Sequence, residues 1–116
     1  MLGSRAAYSF IRQQKLSIKS TIRGGIKVVS GNAVIKNATG LHLKPAARFC
    51  EEALKYKSTI TFTFGGTTAN AKSVLSVLGA CVKSGDEIEI VCNGEDEQEA
   101  LDNLLKAISE GLGDEI

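Results

Sequence analysis

The chain has 116 residues, 43% of them hydrophobic, with 14 Lys and Arg against 13 Asp and Glu and a formal net charge of +1. This is one domain's length of chain with enough apolar content for a core, which excludes two full domains and wholesale disorder. The charges are laid down unevenly, because no acid precedes Glu51, whereas most of the later charges are acidic.

Residues 1–25 read as a basic N-terminal extension, flexible or loosely docked, ahead of a domain over residues 26–116. Arg5, Arg12, Lys15, Lys19 and Arg23 are scattered among Ser, Thr and apolar residues, and Gly24–Gly25 has the character of a linker. Leu2, Ala6, Phe10 and Ile11, with Gln14 continuing the spacing, fit one side of a short amphipathic helix. A basic helix for a partner or membrane surface and an organelle-targeting peptide are the competing readings of this acid-free, Arg-rich stretch.

The domain begins with a strand over residues 26–35, rich in β-branched residues and stopped by the turn-forming run from Asn37 to Gly40. Residues 43–55 predict a helix, with Leu43, Ala46, Ala47, Cys50, Ala53 and Leu54 as its apolar stripe and Pro45 in its first turn. Residues 59–64 alternate Ile60, Phe62 and Phe64 with threonines; Gly65–Gly66 then supplies a hairpin turn into a short strand over 67–70. A short helix over 73–79 is opened by Ser73 as a cap, with Val74, Leu75 and Leu78 on one side. Ile88, Ile90 and Cys92 mark a fourth strand over 87–92, and residues 96–111 predict a last helix with Ala100, Leu101, Leu104, Leu105 and Ile108 inward. The expected fold is therefore α+β: an open-faced two-layer β-sandwich, its four-stranded antiparallel sheet covered on one face by three helices.

Cys50, Cys81 and Cys92 are odd in number, widely spaced and form no CxxC, which argues against a disulfide framework or zinc site and for a reducing compartment. No apolar run approaches the ~18 residues of a membrane span. A cytoplasmic protein with no stable membrane insertion, no metal and no cofactor is expected. Nucleic-acid binding is the weakest reading, since no recognised motif accompanies the basic extension and the domain that follows is acidic.

The chain's one histidine, His42, falls between a strand and a helix start. First-turn N–H groups that a helix cannot satisfy, together with the positive end of its dipole, cradle anions such as phosphate. An imidazole nitrogen there is a candidate nucleophile, and Lys44 adds a positive charge. A helix cap or plain surface histidine is the bland alternative.

Three segments in order then carry a resemblance: Thr39-Gly40-Leu41-His42-Leu43-Lys44-Pro45-Ala46-Ala47, Asn70-Ala71-Lys72-Ser73-Val74-Leu75 and Lys83-Ser84-Gly85-Asp86-Glu87-Ile88. From about residue 30 to 113 the chain resembles HPr, the histidine-containing phosphocarrier family of the bacterial phosphoenolpyruvate-dependent sugar phosphotransferase system. The resemblance implies a phosphoprotein without independent turnover. His42 would take a phosphoryl group from phosphorylated enzyme I as phosphohistidine and pass it to sugar-specific enzyme IIA domains for sugar transport. Lys44 would be the phosphate's charge partner, with the backbone N–H groups of Leu43 and Lys44 holding it. Ser73 would be the site of regulatory phosphorylation by an HPr kinase/phosphorylase, linked to a catabolite control regulator and carbon catabolite regulation. Ala47, Arg48, Val74, Leu75 and Leu78 would dock partners, Lys72 would add charge near the histidine, and the carrier would be a monomer. A regulatory HPr-like protein governed through Ser73 is the alternative. The family usually has Ala and Arg where this chain has Leu43 and Lys44, and Gly where it has Ser76.

Overall fold

The computed structural model describes residues 18–23 and 26–113, with side chains described from Val28 onward. The helix expected over residues 2–14 and the Gly24–Gly25 linker lie outside the described residues. In chain order the elements are β1 (Ile18–Arg23), β2 (Ile26–Val34), α1 (Leu43–Ala53), β3 (Thr59–Phe64), β4 (Thr67–Asn70), α2 (Val74–Gly79), β5 (Glu87–Asn93) and α3 (Glu97–Ser109).

The four expected strands form the sheet in the order β2-β5-β3-β4, every neighbouring pair antiparallel. The structure adds a fifth, β1, on the edge beside β2, with Arg23 opposite Ile26 and Ile18 opposite Gly31. Alternation sets the inner face: Val29 and Ala33 from β2, Ile60 and Phe62 from β3, and Ile88, Ile90 and Cys92 from β5 all enter one core. The three helices bury Ala46, Phe49 and Ala53, then Val77, then Leu101, Leu104, Leu105 and Ile108 into the same core. Phe49 meets Phe62 edge to face, ring centroids 5.7 Å apart, joining helix layer to sheet. The architecture is the open-faced α+β sandwich. Among the described residues no helix is long and apolar enough to cross a membrane.

Two helix faces differ from the sequence expectation. On α1, Leu43 and Leu54 remain 65% and 61% exposed, and Phe49 takes the inward position instead. The largest apolar side chain sets the phase of the helix, and the leucines at its ends turn out to the rim. Glu52 is buried beside Phe49, satisfied by the Tyr56 hydroxyl at 2.8 Å and Lys55 Nζ at 3.0 Å. The Tyr56 hydroxyl also accepts from Asn103 Nδ2 at 2.6 Å, which ties α1 to α3. On α2 the inward residue is Val77, while Leu75 is 82% exposed.

The carboxylate of Asp96, just before α3, accepts the backbone N–H groups of Lys57 at 2.9 Å and Ser58 at 3.0 Å as well as the Ser58 hydroxyl. Those hydrogen bonds favour the charged form and hold Asp96 at about 2, below its usual 3.8. A lowered carboxylate pKa contributes stability that is complete above the usual value and is lost as pH falls through the lowered one. Asp96→Asn is therefore expected to be less stable than the native chain at pH 7. In urea unfolding the difference should narrow as the pH is taken from about 4 to about 2. An unchanged gap across that range would remove Asp96 as its source.

Candidate functional site

The approach to the histidine is fixed by backbone contacts. Beyond β2, Ile35 N–H donates to Asp86 at 2.9 Å and Gly85 N–H returns to Ile35 at 2.7 Å; Gly40 N–H then closes a turn onto Asn37 at 2.9 Å. Gly40 adopts φ +72°, and a Cβ there would lie 2.5 Å from the Val82 carbonyl oxygen and 2.8 Å from Lys83 Cα. This close approach lets Leu41 N–H donate to Val82 at 3.0 Å while the Leu41 side chain enters the core. With Leu41 turned in, the next side chain turns out.

That side chain is His42. It is the N-cap of α1, extended at φ −79° and ψ −172°, and its carbonyl accepts from Ala46 N–H at 2.9 Å. Its imidazole makes no cap hydrogen bond and is exposed. Ala46 N–H is the first donor of the helix ladder and Pro45 has no N–H, so the imidazole stands at the first turn of α1.

A cavity of about 470 Å³ opens there. One wall is His42, Leu43, Lys44, Ala47 and Arg48 from the start of α1, and the others are Glu51, Leu112 and Gly113. Five expected site residues are thus brought together. Lys44 and Arg48 supply positive charge, but Arg48 Nη1 also pairs with Glu51 Oε1 at 3.3 Å, so the rim carries an acid as well. Exposed pairs of this kind are weak, and a dianion entering the cavity competes with Glu51 for the guanidinium. Among the described residues no three His, Cys, Asp or Glu side chains are grouped so as to hold a metal ion.

Leu112 and Gly113 reach the cavity through a tight turn after α3. Leu112 N–H donates to Ala107 at 3.0 Å, Leu112 takes φ +51°, and Asn37 Nδ2 donates to the Gly111 carbonyl at 2.8 Å. Glycines at 111 and 113 are the sequence signal for this turn; that it closes on the histidine follows only from the fold.

The second group of expected residues lies on and before α2 and does not line the cavity. Ser73 Oγ accepts Ser76 N–H at 3.2 Å, as expected of an N-cap. Ser76 Oγ in turn accepts Asn70 N–H at 3.2 Å, which closes the loop before the helix. Val74 and Leu78 are half-buried, with Leu78 packed against the core, so Leu75 alone of the three stands fully outward. Lys72 does not join the histidine: its Nζ donates to the Tyr56 carbonyl at 2.7 Å, beyond the C-terminal end of α1.

Among the described residues, an open-faced sandwich carries an exposed histidine at the N-cap position of its first helix. Comparison with known proteins gives the family: the model described as "PTS HPr component phosphorylation site" matches residues 29–110, and the chain belongs to the HPr phosphocarriers of the phosphotransferase system. The chain is 41% identical over 71 residues to the phosphocarrier protein HPr of Haemophilus influenzae, covering 61% of this chain and 84% of that protein. It is 35% identical over 83 residues to the HPr-like protein Crh of Bacillus subtilis, covering 72% and 98% respectively. The crystal structure of HPr-C-His from Thermoanaerobacter tengcongensis superposes with a TM-score of 0.72 at 34% identity, covering 75% of this chain and 98% of that one. The expected monomer gains no support. A crystal structure of Bacillus subtilis Crh, with a TM-score of 0.59 and 38% identity over 64% of this chain and 85% of that one, is described as a swapped dimer.

Proposed function

We propose that His42 is the phosphoryl acceptor of this chain, receiving the group from phosphorylated enzyme I and passing it to enzyme IIA domains in the cytoplasm. The observation that carries the reading is the exposed imidazole at the α1 N-terminus, above a cavity edged by Lys44 and Arg48. In the transfer, the P–N bond to enzyme I breaks as one forms to an imidazole nitrogen of His42. The phosphoryl oxygens meet the Leu43 and Lys44 N–H groups and the first-turn dipole. Little covalent work remains for the carrier itself, so rate comes from alignment and charge stabilisation in the complex, with no independent turnover. Leu43, Arg48 and Leu75 form the exposed part of the docking side, with Ala47, Val74 and Leu78 supporting it from half-buried positions. Incubation with enzyme I and phosphoenolpyruvate tests the reading: the chain gains an acid-labile phosphoryl group, and a chain that gains none rejects it.

Lys44 is a point charge where arginine would give a planar two-donor fork. Lys44→Arg is expected to raise the rate of transfer from enzyme I by about three- to tenfold, a fraction of what a charge-assisted hydrogen bond is worth. Rapid-quench kinetics measure it, and an unchanged rate means that phosphate gripping at this position does not limit transfer.

The likeness to Crh over nearly all of that protein's length favours a second reading, an HPr-like regulatory protein controlled at Ser73. The Ser73 oxygen already accepts a helix N–H, and phosphorylation would place about −2 charge at that end of α2, beside the docking side. Treatment with an HPr kinase and ATP, followed by peptide mass spectrometry, should place phosphate on Ser73. Phosphate found only on other residues would set this regulation aside.

A further inference from the structure

Asn37 links the two turns that frame the cavity at His42. Its neighbours Lys36 and Ala38 are exposed, whereas Asn37 is fully buried. A buried amide is costly unless hydrogen-bonded, so its partners fix where it sits. Its backbone carbonyl accepts Gly40 N–H at 2.9 Å, closing the turn that leads to the histidine. Its side-chain Nδ2 donates at 2.8 Å to the Gly111 carbonyl, 74 residues further along the chain, in the turn that brings Leu112 and Gly113 to the cavity. Leu112 takes φ +51° in that turn, a conformation that a side chain disfavours and that persists only where surrounding contacts hold it.

We propose that Asn37 is a positioning residue for the phosphoryl group, one side chain setting the spacing between His42 and the opposite wall of Leu112 and Gly113. The inference rests on His42 as the acceptor and not on which donor supplies the group. Leu112 is apolar and only 2% exposed, so the wall it forms keeps water from one side of a phosphoryl group in the cavity. Lys44 and Arg48, on the other wall, then act on that group with less screening. Without the tie to Gly111 the turn relaxes, water enters, and the alignment that transfer needs is lost. The exposed docking residues Leu43, Arg48 and Leu75 are carried by α1 and α2 and by neither turn, so affinity for enzyme I is untouched.

Asn37→Ala keeps the backbone carbonyl and deletes the tie. With enzyme I as donor, kcat should fall about three- to tenfold at unchanged KM; a variant that was merely less folded would present less competent substrate and raise KM instead. Phosphoramidate serves as a second donor: its P–N bond breaks as one forms to the His42 ring, and ammonia leaves with the protons on that nitrogen. Phosphohistidine made this way should hydrolyse at least about threefold faster in Asn37→Ala than in the native chain. Asn103→Ala removes a comparable tie, to the Tyr56 hydroxyl, and should match the native chain in both readouts. Gly113→Ala strains the same wall at φ +85° from an exposed position and should repeat the losses, even where Asn37→Ala does not fold. A native chain labelled by phosphoramidate and not by enzyme I rejects transfer from enzyme I, and the hydrolysis rates then decide the role of Asn37. Native rates in both Asn37→Ala and Gly113→Ala overturn the proposal. So does an equal loss in Asn103→Ala, or a native chain that neither donor labels.

Discussion

His42→Ala is expected to abolish phosphoryl acceptance while leaving the domain as stable as before. The imidazole is exposed, and substitutions at exposed positions usually alter stability by no more than about 0.5 kcal/mol. His42→Asn sharpens the test. Asparagine at an extended N-cap position can accept a first-turn N–H and should stabilise the protein by roughly 0.5–1 kcal/mol, yet it offers no ring nitrogen for a phosphoryl group. Stability would then rise as function vanishes, the signature of a residue kept for chemistry. Thermal unfolding alongside the transfer assay reads both quantities. Loss of stability in both variants would instead mark His42 as structural.

Gly40→Ala carries the largest expected cost in stability. A left-handed backbone at a non-glycine residue costs ~1–2 kcal/mol, and the added Cβ meets backbone atoms of Val82 and Lys83 that no rotamer change can move. With overpacking included, the loss should be about 3 kcal/mol, or roughly 12–24 °C in Tm for a domain of this size. Function should suffer as well, because the Gly40–Val82 approach is what turns Leu41 inward and His42 outward. Urea unfolding of Gly40→Ala measures the first effect and the rate of phosphoryl transfer the second. A loss under about 1 kcal/mol would show that the 80–83 segment yields easily and that the approach is not what holds the loop.

Much of this fold is legible in the sequence alone, and where it is not the reasons are physical. Alternation placed β3 and β5, because Ile60, Phe62, Ile88, Ile90 and Cys92 have one buried face and one polar face. The Ser73 cap followed from local chemistry alone, and α3 from a stripe with no competing apolar residue. On α1 the stripe was ambiguous: leucines at 43 and 54 compete with Phe49, and only the sheet beneath decides which is inside. In β1, Ile18 and Ile22 alternate with Lys19 and Arg23 ahead of Gly24–Gly25, a hairpin signal that the run of basic residues disguised as an extension. At the site, His42 and Lys44 are legible from the helix start and Leu43, Ala47 and Arg48 from the family resemblance; one helix turn and the next bring all five to the cavity. Glu51 was hidden among charges that read as solvated surface. Leu112 and Gly113 come from a turn some 70 residues away, held there by Asn37, and no local pattern announces such a contact.

The measurement closest to the central claim is incubation of the native chain with enzyme I and labelled phosphoenolpyruvate, followed by acid, alkali and then enzyme IIA. Phosphohistidine is labile in acid and stable in base, the reverse of a serine ester. One acid-labile label per chain is expected, carried on the peptide containing His42 and discharged to enzyme IIA. A chain that takes up no label, or holds it in an acid-stable form on another residue, contradicts it.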